Sequence, residues 1–453
     1  EARFLRAYYH YLLFELYGPI PIMTEISEPS ASDLDYYRNS VDEVVQFIDS
    51  ELNECYNELP EKEVNDDGTP NENRSAALAI LAKLHVYAAS PLLNGGYSEA
   101  IALRDNQDKQ LFPAKDDKKW QTALNALQRF IDYAKTHYHL YKEKDKDGEL
   151  NAEESLYQLF QVSLNNPEAI WQTSKNSWGD VGGEGRERRC TPRAIYSGFG
   201  CVGVLQEAID DFYMNDGKSI HESGLYSEEG IGDGIPNMYK NREPRFYQAI
   251  TYSGKTWQKT TKQIYFYKGS GDDNSKADMS YSGYLLYKGM NRDLLNQGSN
   301  AKSKYRAGML FRLADFYLLY AEALNHVNPS DERIIAHIDS VRYRAGIPLL
   351  KDIKPEIKGN QALQEEAIRK ERRIELFAEG QRYFDVRRWM CADEEGYKQG
   401  GPVHGMNMNA DNLEDFMERT AFETRIFERR MYLYPIPLNE IQKSSKLVQN
   451  PGW

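Results

Sequence analysis

Apolar residues recur at helical spacing towards both ends of the chain. The first helical face follows the i, i+3, i+4, i+7, i+11 pattern and is made of Leu5, Tyr8, Tyr9, Leu12 and Leu16. Gly18-Pro19 then ends that helix. Comparable patterns predict helices over residues 2–17, 41–58, 74–89, 118–138, 310–325, 331–345 and 361–390, with a break or a tight contact at Gly380. The chain is therefore predicted to be mainly α-helical.

The middle of the chain, residues 172–308, has a different character. Its glycines cluster in the segments "WGDVGGEG", "SGFGCVG", "GIGDGIP" and "KGSGDDNS". Short alternating runs, "FYQAITYSG" and "QIYFYKG", predict strands or hairpins. A long loop-rich insertion in a helical scaffold is usually functional. We therefore divide the chain into a helical part (1–171), a loop-rich part on the ligand side (172–308) and a second helical part (309–453), which together form one composite globular unit.

Charge and hydropathy exclude two classes of protein. The 453 residues carry a net charge of −13, with a pI near 5.3, and an acidic chain is poorly suited to binding nucleic acid through its phosphates. No apolar run approaches the roughly 20 residues of a transmembrane helix. Aromatic residues make up 12% of the chain, and 32 of them are Tyr, which indicates binding surfaces as well as a core. Because the sequence starts inside a helix, we expect a segment to precede it.

Two local patterns leave alternatives open. Cys190 and Cys201 flank a loop rich in Gly and Arg, so they either form a disulfide in an oxidising compartment or stay as free thiols. The acidic segment from Glu143 to Glu154 places oxygen ligands near the positions of a calcium-binding loop, but Glu143 stands where that pattern requires Asp. It is either a calcium site or a solvated acidic turn.

Catalytic motifs are sparse. Residues 198–203 spell GxGxxG, but no buried strand precedes them, as dinucleotide binding would require. Neither HExxH nor GxSxG occurs. No zinc-ligand spacing exists among the four Cys and eight His. The sequence therefore predicts no enzymatic activity and no cofactor, and it leaves metal binding undecided.

Seven segments, in order, resemble the SusD/RagB family of outer-membrane nutrient-binding lipoproteins of Bacteroidetes. They are "EARFLRAYYHYLLFELYGPIPI", "NRSAALAILAKLHVYAASPL", "NREPRFYQAITYSG", "FRLADFYLLYAEALN", "IDSVRYRAGI", "ERRIELFAEGQRYFDVRRW" and "YLYPIPLNEIQKSSKLVQNPGW". The resemblance implies a mainly α fold of tetratricopeptide-like helix pairs with a loop-rich insertion that carries short strands. It also implies a lipid anchor on the extracellular face of the outer membrane, and a partner, a SusC-like TonB-dependent transporter barrel. The anchor itself is missing from this chain.

The charges of the sixth segment are predicted to be structural. They lie on packed helices beside Phe384 and Trp389, where paired charges satisfy one another and fix helix register. The residues are Arg372, Glu375, Glu379, Arg382, Asp385 and Arg388. Trp389 itself is predicted to lie in the core.

The resemblance suggests non-catalytic binding of an oligosaccharide and its delivery to the transporter. Aromatic side chains cover sugar ring faces, and Asp, Asn and Arg bridge the hydroxyls. The loop-rich part supplies that mixture in Trp178, Asp180, Arg186, Tyr196, Phe199, Trp257, Tyr281 and Tyr284. Trp178, among glycines, is expected to be an exposed stacking platform. The alternatives are a peptide-binding lid on the same type of transporter and a glycoside hydrolase, which needs two carboxylates about 5–10 Å apart.

Overall fold

The structure is a computed structural model that describes residues 1–26, 35–61, 73–176, 185–195, 198–273, 279–293, 305–397 and 399–453. The α-helices of these residues are α1 (Ala2–Tyr17), α2 (Val41–Tyr56), α3 (Arg74–Ala89), α4 (Ser98–Ile101), α5 (Lys118–Ala134), α6 (Ala152–Gln158), α7 (Arg186–Cys190), α8 (Gln206–Asp211), α9 (Pro244–Ala249), α10 (Leu313–Val327), α11 (Arg333–Arg344), α12 (Leu350–Ile353), α13 (Gln361–Glu375), α14 (Gln381–Arg388), α15 (Leu413–Phe416) and α16 (Leu438–Lys443). Short 3₁₀ turns lie at Pro91–Leu93, Asn237–Tyr239, Pro355–Ile357 and Arg429–Tyr432.

The strands of the described residues are short and form two-stranded antiparallel sheets. They are β1 (Glu143–Lys144), β2 (Leu150–Asn151), β3 (Ala169–Asn176), β4 (Ile231–Gly232), β5 (Ile235–Pro236), β6 (Ile250–Thr251), β7 (Leu285–Leu286), β8 (Ala307–Arg312), β9 (Gly401–Met406) and β10 (Arg419–Arg425). The pairs are β1–β2, β3–β8, β4–β5, β6–β7 and β9–β10. Because β3 pairs with β8, the loop-rich stretch leaves and rejoins the helical scaffold at one place.

The helical predictions are confirmed, with small shifts at the ends. The predicted helix over 361–390 is two helices, α13 and α14, separated at Gly380, whose φ of 85° no L-residue favours. The strand predictions in the middle of the chain are largely wrong. In "FYQAITYSG" the first half lies in helix α9, which Pro244 begins, and only Ile250–Thr251 is strand. The run "QIYFYKG" makes a single bridge, Thr256 with Gln263.

The larger hydrophobic core lies among α1, α2, α3, α5, α10, α11, α13 and α14. Helix α3 is its centre: it packs against α2 and α5, and nearly all of its side chains are buried. Its Ala- and Leu-rich sequence favours a helix, and the side chain of Asn73 caps it by accepting a hydrogen bond from the backbone N–H of Ala76. The packed helix pairs predicted from the sequence therefore form the scaffold.

A second core lies beneath the loop-rich part. It gathers buried residues between Cys190 and Met290, together with Met406 and Phe416 from the C-terminal part. Aromatic rings dominate it: Tyr239 packs against Phe246, Tyr252 and Tyr284. Much of the aromatic content of the chain therefore serves packing.

Buried ion pairs join the two cores. The carboxylate of Glu375, at the end of α13, accepts hydrogen bonds from Arg245 (3.1 Å) and Arg312 (2.7 Å) and also pairs with Arg344. Burial alone would raise the pKa of Glu375, but these three guanidinium groups hold it well below its ordinary value. Arg245 belongs to α9, Arg312 to the end of β8 and Arg344 to α11. One carboxylate therefore fixes these three elements against α13.

The remaining charges of the sixth family segment are also largely paired, as predicted. Arg372 bonds to Asp315 and Asp385, and Arg388 bonds to Glu322. Arg382 differs, since it lies over the ring of Tyr397, 5.2 Å from its centroid. Trp389 is 6% exposed, which confirms its predicted burial, and its indole N–H donates to Glu322 at 2.7 Å.

No single helix within the described ranges is long and apolar enough to cross a membrane. One bent pair, Arg74–Ala89 with Pro91–Ile101 at 70°, meets the length and composition criteria.

We predict that Glu375→Gln lowers the free energy of unfolding by about 3–5 kcal/mol, because it leaves buried guanidinium groups without their carboxylate. Urea unfolding followed by circular dichroism measures the loss. Glu366→Gln on the exposed face of the same helix is the matched control, with an expected change within about 0.5 kcal/mol. Equal losses in the two variants would contradict the role of Glu375.

A second prediction concerns Glu15 of α1. Burial raises the pKa of this carboxyl from 4.5 to about 7, although nearby Lys83 lowers it. The folded state therefore holds the proton more tightly, and this stabilisation is lost as pH rises from about 4.5 through 7. Glu15→Gln should gain stability relative to wild type between pH 5 and pH 8, on the order of 3 kcal/mol.

Unfolding titrations at both pH values measure the Glu15 effect as a difference between variant and wild type. Asp132→Asn, an exposed carboxylate on α5, serves as the control. A variant-minus-wild-type difference that does not change with pH would disprove the prediction.

Candidate functional site

A groove of about 950 Å³ runs along the edge of the second core. One wall is formed by residues 202–208 and Asp210, which include most of α8, and the other by Glu395, by residues 399–400 and 402–404, and by Arg419 and Arg425 of β10. Arg373 of α13 closes the floor, together with Phe377 and Ala378 of the turn that follows this helix. The groove thus lies where the loop-rich part meets the C-terminal helical part.

Nine of the twenty residues that line this groove have planar polar side chains, and they stand among apolar residues and glycines. They are Gln206, Glu207, Asp210, Arg373, Glu395, Gln399, His404, Arg419 and Arg425, and Phe377 is the aromatic residue among the lining. Three of them stand on α8, where Gln206 and Asp210 share one face at i, i+4 spacing. Gln206 is 1% exposed and holds Asp210 in place, whereas the exposed members of the set offer fixed donors and acceptors to a ligand rich in hydroxyls.

The basic side chains that line the groove each have a carboxylate partner. His404 Nδ1 lies 2.7 Å from Glu207 Oε1, and Arg425 Nε lies 2.8 Å from Glu423. Arg419 reaches from β10 to Asp210 and to Glu228. Arg373 donates to Asp211 at 2.6 Å.

Asp211 shows the effect of this pairing on a carboxylate beside the groove. Burial alone would raise its pKa, but Arg373 and Lys370 hold it below its ordinary value. The carboxylate therefore stays ionised and keeps its two cations.

A chain of hydrogen bonds connects the groove wall to the second core. The hydroxyl of Tyr284 donates to Gln206 Oε1 at 2.7 Å, and Gln206 Nε2 donates to Asp210 Oδ1 at 2.7 Å. Tyr239 and Tyr284 meet through their hydroxyls at 2.8 Å. Because both rings are buried, the core orients the polar side chains that face the groove.

The structure corrects two predicted ligand contacts. Trp257 and Tyr284 are both 0% exposed, since each packs within the second core, Trp257 edge-on against Tyr287. Neither ring is available to stack on a sugar. Tyr284 instead positions Gln206.

Three other predicted residues lie at the surface or in a cavity. Arg186 begins α7 and lines a smaller cavity of about 270 Å³. Phe199 is half-buried, and the Arg188 guanidinium covers one face of its ring at 3.9 Å. Tyr281 is 51% exposed. Phe199 and Tyr281 stand on neighbouring segments, because the N–H of Ser280 donates to Gly200 O.

Trp178, Asp180 and Tyr196 lie outside the described residues, so their roles as ligand contacts remain predictions.

The structure describes both of the local patterns that the sequence left open. Cys190 and Cys201 are not joined by a disulfide, and burial raises the pKa of Cys190 to about 12. The acidic segment Glu143–Glu154 is the β1–β2 hairpin. There the Asp145 carboxylate accepts hydrogen bonds from the backbone N–H groups of Asp147 and Glu149, which belong to the same turn. No group of three or more His, Cys, Asp or Glu in the described part of the chain is placed to hold a metal ion.

Sequence reasoning missed the groove residues. Glu207 and His404 are bonded to each other but stand far apart in the chain, and neither lies in a motif. The hydrophobic pattern marks α8 weakly, as a short helix after a glycine-rich loop. Only the fold brings these residues together.

Comparison with known proteins places the chain in a family. The sequence profile of the SusD family matches residues 167–453, a range that includes the entire groove. The chain belongs to the SusD family. Residues 1–86 match a second SusD-like profile, described as starch-binding and associating with the outer membrane. The family resemblance seen in the sequence is thereby confirmed.

Individual relatives are distant. SusD-like protein P38 of Formosa agariphila is 23% identical over 429 residues, which cover 90% of this SusD family chain and 69% of the relative. SusD-like protein P2 of the same organism is 25% identical over 245 residues, which cover 52% and 43%. The chain thus spans less than half the length of P2. The solved structure of BT4246 has a TM-score of 0.83 at 26% identity, covering 100% of this chain and 83% of that one.

Proposed function

We propose that this protein binds a neutral oligosaccharide in the groove, without catalysis, and delivers it to a SusC-like TonB-dependent transporter barrel. The observation that carries the proposal is the lining of the groove, in which planar polar side chains are held by ion pairs and by the buried tyrosines. The cavity of about 950 Å³ is at the upper end of the usual range for small-molecule sites, roughly 300–1,000 Å³.

Sugar hydroxyls suit this lining because each donates and accepts. A carboxylate such as Glu207 accepts from one hydroxyl, and the guanidinium of Arg419 donates to another, without either leaving its partner. The description of the family's N-terminal profile as starch-binding supports the same class of ligand. We therefore take linear α-linked glucan as the first probe.

The pairing of the cations favours a neutral ligand over an anionic one. A sulfate or uronate would have to compete with Glu207 for His404 and with Asp210 for Arg419. Breaking such pairs leaves a carboxylate uncompensated, which costs free energy. A neutral sugar needs no such exchange.

The two alternative functions, a hydrolase and a peptide-binding lid, would require other features of the same groove. A hydrolase needs a carboxylate that can give or take a proton, whereas Glu207 is hydrogen-bonded to His404 and Asp210 is paired with Arg419. A peptide-binding lid would present extended backbone partners, for which the β9–β10 sheet is the candidate. The polar side-chain lining favours the oligosaccharide.

Delivery, the lipid anchor and the extracellular face are inferred from the family. The outer-membrane association in its description supports a membrane partner. A lid on a barrel must bury at least ~1,000 Å² to be specific.

Calorimetry should show that Glu207→Ala weakens binding of α-linked glucan oligosaccharides at least tenfold, which is about 1.4 kcal/mol. The loss follows because the variant removes one acceptor and frees His404 from its partner. Asp132→Ala, which breaks an exposed ion pair on α5, is the matched control and should bind like wild type.

The same titrations test the charge of the ligand and the absence of turnover. Wild-type affinity for the neutral glucan should change little between 0.01 M and 1 M salt, although the Debye length falls from about 30 Å to about 3 Å. A sulfated oligosaccharide should not bind. Tighter binding of the sulfated sugar would refute the neutral class, and shortened glucan after long incubation would refute the non-catalytic function.

We expect the full-length protein, purified from its native outer membrane in mild detergent, to bring the transporter barrel with it. An interface of at least ~1,000 Å² should survive such purification. An unrelated tagged lipoprotein of the same membrane is the control. Recovery of the protein alone would count against delivery to a transporter.

A further inference from the structure

The groove and the smaller cavity share one boundary. This second cavity, of about 270 Å³, lies between the residues that follow α6, strand β8 and the turn after α13. Ala378 lines both spaces, with Phe377 on the groove side and Glu379 and Gly380 on the other. We call residues 377–380 the ridge, and the smaller cavity the pocket.

The ridge has an unusual backbone. Ala378 has a φ of 59° and Gly380 a φ of 85°, and left-handed φ is uncommon for any residue other than glycine. Both residues are exposed. A Cβ built on Gly380 would meet nothing within 4 Å. A strained segment that stands open to solvent between two cavities is a candidate for function.

Lys288 and Arg312 hold the ridge through hydrogen bonds. Lys288 Nζ donates to Glu375 O and Phe377 O, each at 2.9 Å, and to Glu379 at 2.6 Å. Arg312 donates to Glu375 O at 2.9 Å and to both carboxylate oxygens of Glu379. The carbonyl of Phe377 and the carboxylate of Glu379 are therefore fixed, and the carbonyl of Glu375 just before the ridge is fixed as well, so these parts of the ridge do not depend on a ligand for their position.

The pocket offers little side-chain bulk and a few polar groups. Its small residues are Gly289, Ala307, Gly308, Ala378 and Gly380. Ser163 accepts the N–H of Ala307 at 2.9 Å, so its own hydroxyl proton stays available to a ligand. Gln172 and Arg186 also face the space, and Phe160 supplies an apolar wall. The pocket is a third of the size of the groove and suits one sugar ring.

We infer that the bound oligosaccharide crosses the ridge, and that the pocket takes the terminal sugar of the chain whose other units lie in the groove. This inference rests on the proposed function. The small side chain of Ala378 lets the sugar chain pass close to the fixed backbone. Any larger side chain at this position would stand in its path.

Length dependence of binding tests the inference. The probe is α-linked glucan, titrated by calorimetry from the disaccharide to the heptasaccharide. Wild type should gain at least tenfold in affinity as the chain becomes long enough to reach the pocket. Ala378→Asn should lose this gain, so that its affinity no longer rises when the chain becomes long enough to reach the pocket, because Asn tolerates left-handed φ while its side chain obstructs the ridge.

Two further variants separate obstruction from misfolding. Ala378→Gly keeps the ridge open, so it should retain the full length dependence. Gln172→Ala, in the wall of the pocket, should lose the gain for long chains without any change on the ridge. Melting temperatures of all variants show whether the fold is kept.

The possible outcomes distinguish a failure of the proposed function from a failure of the pocket inference. If wild type binds no member of the series, the proposed function fails and the pocket inference fails with it. If wild type binds but Ala378→Asn weakens short and long chains equally, the groove stands and the pocket is not part of the site. An unchanged length dependence in both Ala378→Asn and Gln172→Ala would also overturn the inference.

Discussion

The carboxylate of Glu375 is the interaction on which the rest of the architecture depends. It lies at the end of α13, out of water, and receives guanidinium groups from the loop-rich part, from the end of β8 and from α11. An isolated buried charge is very costly, so these partners must stay in place. One residue thereby fixes the position of the second core against the first. The turn that follows it, which is the floor of the groove, inherits that rigidity.

Much of the scaffold could be predicted because its helices follow simple local rules. Helix α3 combines favourable residues with an Asn cap, and α2 begins with the Ser40–Glu43 capping box. The ion pairs around Arg372 could be predicted, because charged residues that pack beside a buried Trp389 need partners of opposite charge. The strands failed for a physical reason: in "FYQAITYSG" the alternation of apolar residues reflects burial on all sides in the second core, and Pro244 begins a helix there.

The site was harder to predict, because local sequence does not determine whether a side chain is exposed in the folded protein. Trp257 stands among polar residues and Tyr284 follows Ser282-Gly283, yet both complete a core that forms only after distant segments fold together. Glu207 and His404 meet across the groove, although nothing local marks either one. The aromatic surplus indicated binding surfaces, whereas in the described residues much of it packs the second core.

The resulting groove favours recognition by hydrogen bonds over recognition by stacking. Each polar contact with a sugar replaces a contact with water, so its net gain is small, about 0.5–1.5 kcal/mol. The ion pairs and the tyrosine chain keep the lining in place before the ligand arrives, which avoids the entropy of ordering it. Several such contacts give binding that is specific for the pattern of hydroxyls but not tight. Binding of this moderate strength fits the proposed delivery of the ligand to a transporter.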